Sequence, residues 1–228
     1  MTAPAHEVVC LGGAAVDRKY RAQAPVRLGT SNPVTSERSF GGVARNVAET
    51  IVQLGQRCGL ISIVGDDENG RALQSSLDAL GIDTRHMVTS PEHATAEYVA
   101  VLQPNGDLAV GLADMAIFDA LSPELLHEAW PTLSTSAWVF MDCNLPPETL
   151  HEMIARARQQ PFKLAVDAVS TAKVMRLPHD LRGIDLLCLN STELVDCTGI
   201  GHNQSCCPRC EDDPCCATIQ KGGRDPAG

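Results

Sequence analysis

Apolar residues along this chain gather into short continuous runs, at 8–11, 59–64, 138–141, 164–167 and 184–189. They do not alternate strictly with polar residues, which is the pattern of parallel strands buried on both faces. Amphipathic segments lie between them. Val43, Val47, Ile51 and Leu54 fall at helical spacing and Gly55 follows as a stop; Leu73, Leu77 and Leu80 repeat the pattern before Gly81. Ser122-Pro123-Glu124 reads as an N-cap followed by proline in the first turn. Strand–helix alternation of this kind predicts an α/β fold with a mostly parallel sheet flanked by helices. Two stretches break the rhythm. Residues 15–39 are polar and carry Pro and Gly, and residues 95–112 read as a hairpin around Pro104-Asn105-Gly106-Asp107. Together they predict a small β lid over one end of the sheet.

Composition narrows the function classes. The chain has 228 residues, 44% of them hydrophobic, enough for a full core, and 18 basic against 28 acidic residues give a net charge of −10. That balance argues against nucleic acid or an anionic membrane as partner. No apolar run approaches the ~20 residues needed to span a bilayer, and residues 1–7 do not have the pattern of a signal peptide, so the expected location is cytoplasmic. Cys10, Cys58, Cys143, Cys188 and Cys197 are scattered, mostly within apolar runs, and read as buried free thiols.

The turn after the first strand, Gly12-Gly13-Ala14-Ala15-Val16-Asp17, has neither the third glycine nor the spacing of a dinucleotide fingerprint, and no Gly-rich loop ends in Lys-Ser or Lys-Thr. What remains is a set of polar residues at strand ends. Asp17 follows strand one, and Gly41-Gly42-Val43-Ala44-Arg45-Asn46 opens the first helix. Paired glycines admit close backbone approach, a helix start favours electron-rich oxygens, and Asn46 offers both a donor and an acceptor for sugar hydroxyls. Taken alone, the glycines are equally explained by a tight turn. Asn190-Ser191-Thr192-Glu193 directly follows the run at 184–189, an i, i+3 pair that is either a helix cap or a magnesium–phosphate corner.

Asp17, the Gly-Gly-x-x-x-Asn segment and Asn190-x-x-Glu193, in that order and each after a predicted strand, resemble the ribokinase (PfkB) family of carbohydrate kinases. Gly29-Thr30-Ser31-Asn32-Pro33, Ala113-Asp114-Met115, Asp142-Cys143-Asn144 and Asp167-Ala168-Val169-Ser170 with Lys173 resemble its pseudouridine kinases. The resemblance runs over residues 8–199. It implies a ribokinase-like fold over 1–200 with a lid from about 15–39 and 95–112. It implies ATP and Mg2+ as cofactors and phosphoryl transfer to the 5′-hydroxyl of pseudouridine, with another ribose-like sugar or nucleoside, or a non-catalytic nucleoside- or sugar-binding protein, as alternatives. By the same resemblance Asp17, Gly41, Gly42 and Asn46 grip the ribose, and Asn144 faces the sugar. Asn32 and Thr95 reach the base or ribose from the lid. Asn190, Glu193 and Lys173 form the phosphate and magnesium region, with Glu193 on the metal. It also implies a homodimer through the lid. Ala168 stands where the family pattern has proline.

From residue 201 the pattern is lost. Cys206, Cys207, Cys210, Cys215 and Cys216 crowd together with Pro, Gly and Asp, and 201–228 is expected to be an aberrant, disordered tail. Cys207-x-x-Cys210 with Cys215 or Cys216 and His202 offers zinc-ligand types, without a second Cys-x-x-Cys pair. The family's Gly-Ala-Gly-Asp type motif, which supplies the catalytic base, is expected roughly 60–70 residues beyond Glu193 by analogy. Gly222-Gly223-Arg224-Asp225 cannot replace it, since no helix can follow. The chain as written is therefore expected to be incomplete at its C-terminus and inactive as a kinase, and to leave the run at 184–189 as a bare, aggregation-prone edge.

Overall fold

A computed structural model describes residues 6–198 and 217–219. In chain order the elements are β1 (Val8–Leu11), β2 (Ala15–Ala22), β3 (Val34–Gly41), α1 (Val43–Gln53), β4 (Cys58–Ile61), β5 (Ile63–Gly65), α2 (Glu68–Ala79), β6 (Val88–Ser90), β7 (Glu97–Leu102) and β8 (Leu108–Asp114). A 3-10 turn (Ala116–Ala120) leads to α3 (Pro123–Ser134), β9 (Trp138–Asp142), α4 (Pro147–Ala157), β10 (Lys163–Asp167), α5 (Thr171–Val174), β11 (Leu186–Leu189), α6 (Ser191–Thr198) and β12 (Ala217–Ile219). The main sheet has the order β12-β11-β10-β9-β1-β4 and is parallel except for β12.

Period-2 geometry explains why these strands are apolar on both faces. Val9, Leu11, Val139, Met141, Leu164 and Val166 point to one side, where Leu126 and Leu133 of α3 and Leu150 and Met153 of α4 cover them. Cys10, Phe140 and Ala165 point to the other, against Ala44 and Ala48 of α1 and Leu73 and Leu77 of α2. The small residues of α1 let that helix lie close over the centre of the sheet, so its N-terminus ends up beside the C-terminal tips of β1 and β9.

The lid is a second sheet of order β3-β2-β7-β8. β2 pairs antiparallel with β3 and parallel with β7, which brings the 15–39 and 95–112 stretches into one surface. Its hairpin closes where expected: Gly106, at φ 97°, donates from N to the carbonyl of Gln103 at 2.9 Å.

Several expectations need correction. The run at 59–64 is two strands, because Ser62, fully buried, turns its hydroxyl onto the Gly12 carbonyl at 2.6 Å and Ile63 leaves the main sheet to pair with Val88 of β6. A continuous apolar run carries no mark of a change of sheet. The last parallel strand begins at Leu186 rather than 184, since Asp185 accepts from the Leu164 amide through its side chain at 2.8 Å. Ser122 makes no side-chain cap to α3. Cys188 is only half-buried, unlike Cys10, Cys58 and Cys143. The β11 edge is paired, antiparallel over Leu187–Leu189 with β12, whose Ala-Thr-Ile sequence suits a short strand. The cysteine cluster, the zinc-type ligands and Gly222–Asp225 lie outside the described residues, as does the side chain of Cys197.

Leu73 is 0% exposed and Leu108 is 55% exposed. In urea unfolding, Leu73→Ala is expected to lose about 2–5 kcal/mol, and Leu108→Ala to stay within ~0.5 kcal/mol of the parent chain.

Candidate active site

The polar residues collect at the C-terminal ends of β1, β9, β10 and β11, where open α/β sheets place their ligands. At their centre is Asp142, the last residue of β9, fully buried. Its Oδ2 accepts from the amides of Gly13 at 3.0 Å and Ala44 at 2.9 Å, and its Oδ1 from the amide of Asn144 at 3.0 Å. One carboxylate thus joins the β1–β2 turn, the first turn of α1 and the loop after β9. Glycines make room for it: a Cβ on Gly12 would lie 2.4 Å from Asp142 Oδ1, and one on Gly13 would lie 2.6 Å from Asn144 Nδ2. Burial raises the Asp142 carboxyl above the ordinary aspartate value, outweighing the three amides that favour its charge.

Gly41 and Gly42 owe their identity to close approach. A Cβ on Gly41 would come within 2.3 Å of Asp17 Oδ2, and Gly42, at φ 95°, would strike the Gly13 carbonyl at 2.3 Å. The start of α1 is only partly open to a ligand. Ala44 N is taken by Asp142, Arg45 N by the Gly13 carbonyl at 3.1 Å, and Asn46 N by the Gly42 carbonyl at 2.9 Å. The side chains of Asp17 and Asn46 lie beside it. Asp17 is half-buried, and burial raises its carboxyl from the usual range while Lys19 and Arg45 oppose that rise. Asn46 is exposed, with its Oδ1 held by Arg45 Nη1 at 3.0 Å.

On the far side of Asp142, Asn144 is buried and its Oδ1 accepts a short hydrogen bond from Lys173 Nζ. Lys173 is therefore not a solvated helix lysine; burial lowers its ammonium below the ordinary lysine value. Arg176 holds the same loop from below, donating through Nη1 to the carbonyls of Asn144 at 2.9 Å and Leu145 at 3.1 Å. Asp167 ends β10 and accepts from Val169 N at 2.8 Å. Burial, then the charges of Asp142 and Glu193, raise its carboxyl. Val169 has φ 65°, a strained conformation for a β-branched residue, costing about 1–2 kcal/mol. Ala168, where the family pattern has proline, donates from N to the Cys188 carbonyl at 3.1 Å, a bond proline cannot make.

Asn190 and Glu193 form a reciprocal cap at the start of α6. Asn190 N donates to Glu193 Oε2 and Glu193 N to Asn190 Oδ1, both at 2.9 Å. Glu193 is buried. Among the described residues no three His, Cys, Asp or Glu side chains converge as metal ligands. Asp167 and Glu193 lie close enough for their charges to interact, and carboxylates of this kind can hold a cation through its own waters.

Two lid residues are not part of this group. Asn32 folds back on its own loop, accepting from Arg27 N at 2.9 Å and donating to the carbonyls of Arg27 and Thr30. Thr95 is buried, its hydroxyl donating to Asp67 Oδ1 at 2.7 Å and accepting from Gly65 N at 2.9 Å. It borders an open groove of about 530 Å³ lined by Asn69, Glu97, Val99 and Leu112. Glu97 and Val99 lie on the lid face opposite Tyr98, whose register partner is Asp17. Asp142, Arg45 and Arg176 were not singled out as site residues from sequence. The Gly12-Gly13 pair was the available signal for Asp142, since two glycines at a strand end imply something large beside them.

A family model described as pfkB family carbohydrate kinase matches residues 5–207. The pseudouridine kinase of Escherichia coli (strain K12) is 28% identical over 193 residues, 85% of this chain and 61% of that protein. A carbohydrate kinase from Agrobacterium tumefaciens superposes with a TM-score of 0.77 at 28% identity, over 85% of this chain and 63% of that one. Arabidopsis thaliana ribokinase complexed with ribose and ATP shares the fold, with a TM-score of 0.72 at 19% identity, over 87% of this chain and 64% of that one. The chain spans less than two thirds of the length of each.

Asp142→Ala leaves three amides without their acceptor and is expected to cost about 3 kcal/mol or more in chemical denaturation. The raised carboxyl means that the folded chain binds this proton more tightly than the unfolded chain, so stability falls as pH rises from 3.8 through the folded value. Asp142→Asn should flatten that part of the stability–pH profile, leaving the contributions of Asp17 and Asp167.

Proposed function

The chain belongs to the pfkB family of carbohydrate kinases, and on that footing we propose that its parent activity is transfer of the ATP γ-phosphoryl group to the 5′-hydroxyl of pseudouridine. The observation that carries this reading is the Asp142 staple. It ties together the β1–β2 turn that leads to Asp17, the start of α1 that follows Gly41-Gly42 and carries Asn46, and the loop of Asn144. Asp17 accepts from a ribose hydroxyl and Asn46 donates to its neighbour, while the glycines let the sugar lie against the backbone. Asn144, oriented by Lys173, faces the sugar from β9. The positive charge of Lys173 offsets negative charge gathering on the transferred group.

Asp167 and Glu193 fit a Mg2+–ATP corner through water, and the metal when bound supplies neutralisation of the phosphate oxygens. The residue that takes the 5′-hydroxyl proton belongs, by family analogy, to a glycine-rich segment beyond α6. Asn32 and Thr95 would contact ligand only after a lid rearrangement that frees their side chains. The exposed Leu108 and Leu112 on the β8 edge support a lid-to-lid homodimer.

Calorimetric titration with pseudouridine tests this reading. Saturable binding is expected, weakened about 10–100-fold by Asp17→Ala, as for loss of hydrogen bonds to a charged group. A preference for free ribose would move the substrate to a simple sugar. Since the Asp17 carboxyl is raised from 3.8 and accepts most strongly when ionised, affinity should fall on acidification with a midpoint above 3.8. Asp17→Asn should bind more weakly and without that dependence.

A further inference from the structure

Arg45 stands one residue before Asn46 in the first turn of α1 and is only 7% exposed. A guanidinium is costly to bury, and this one is incompletely satisfied, with its Nε left without a hydrogen-bond partner. Its Nη1 meets three acceptors: the carbonyl of Phe40 at 3.2 Å, Asn46 Oδ1 at 3.0 Å and Glu49 Oε2 at 2.7 Å. The first lies on lid strand β3, next to Gly41, and the third is one helical turn further along α1. The head group is therefore fixed from both sides of the lid–core junction, and the Asn46 carboxamide is the group it touches that faces solvent.

A free carboxamide can turn either end to a ligand. Held by Arg45 through one lone pair of its oxygen, the Asn46 carboxamide is fixed in one orientation, and its Nδ2 amino group makes no hydrogen bond with the described residues. Asp17, beside Gly41, is the reverse case. Its ionised carboxylate can only accept, and no described hydrogen bond occupies it. A free amide donor and a free acceptor are thus offered by two neighbouring segments.

We propose that Arg45 is a positioning residue: by holding Asn46 Oδ1 it fixes the orientation of the carboxamide and presents its Nδ2 as donor, so that with Asp17 the site reads a vicinal diol in one orientation. A hydroxyl that gives its proton to Asp17 and a neighbour that accepts from Asn46 satisfy both. A sugar without either hydroxyl leaves one site group unpaired. The inference rests on the nucleoside reading above and adds to it a source of selectivity for ribose over deoxyribose.

Two measurements test it. The first needs no ligand: the side-chain amide signals of Asn46, assigned by their loss in Asn46→Ala, are followed by NMR in the 228-residue chain. Arg45→Met is expected to shift them and speed rotation of the amide; unchanged signals would overturn the proposal. The second compares binding of pseudouridine with its 2′-deoxy and 3′-deoxy analogues. The unaltered chain is expected to disfavour one analogue by about tenfold, and Arg45→Met to reduce that ratio to within about twofold, as for loss of one oriented hydrogen bond. Asn46→Ala should do the same, and the double variant no more. Arg45→Lys, which keeps the charge beside Glu49 but lacks the planar guanidinium that fixes the direction of its N–H groups, should be intermediate, and it serves if the methionine variant folds poorly. Undiminished discrimination in folded Arg45 variants, or additive losses in the double variant, would show a structural role only. If the unaltered chain binds no nucleoside, the functional reading falls, while the amide signals still decide the role of Arg45.

Discussion

The carboxylate of Asp142 sets the geometry on which the rest of the site depends. Fully buried, it gathers the amides of Gly13, Ala44 and Asn144, which come from three different segments, onto one group. Its burial is unfavourable, as the raised carboxyl shows. The compensation is local and directional: three amide dipoles, one of them at a helix start, point at the charge. Such an arrangement tolerates little displacement, and small residues surround it accordingly. Gly12, Gly13 and Gly42 each occupy a place where a Cβ would enter a neighbouring atom.

This staple also divides labour at the cleft. By taking the Ala44 amide it removes one donor from the start of α1, and the polar side chains around it are Asp17 and Asn46 on the lid side and Asn144 with Lys173 on the sheet side. The reciprocal cap of Asn190 and Glu193 likewise serves the backbone first. Its second consequence is to bring Glu193 within electrostatic reach of Asp167, and a local capping device thereby gives the cleft its negative corner. Cap and phosphate corner, which sequence left as alternatives, are compatible readings of one pair.

Much of the fold was legible because burial on both faces of a parallel sheet leaves a continuous apolar signature. The runs at β1, β9 and β10 and the helical spacing in α1 and α2 carried it directly. The signature fails where a strand changes partner without changing character. Ser62 lies inside an apolar run, and only the Gly12 carbonyl above it explains why β4 ends and β5 joins another sheet. The paired β11 edge was equally hidden, since Ala-Thr-Ile is too short to signal a strand without its partner.

The sequence by itself determined the class of fold, the family and the membership of Asp17, Gly41, Gly42, Asn46, Asn190 and Glu193 in one ordered set of motifs, because spacing and residue type are local properties. Tertiary structure alone decided which polar groups are still free. Asn32 and Thr95 have the right chemistry, but their hydrogen bonds are already made, to their own loop and to the start of α2. Asp142 matters through partners as distant as Gly13, 129 residues away, and Arg45 through a side-chain placement that brings Phe40, Asn46 and Glu49 together. Hydrogen-bonding capacity is finite, and only the folded chain shows where it has been used.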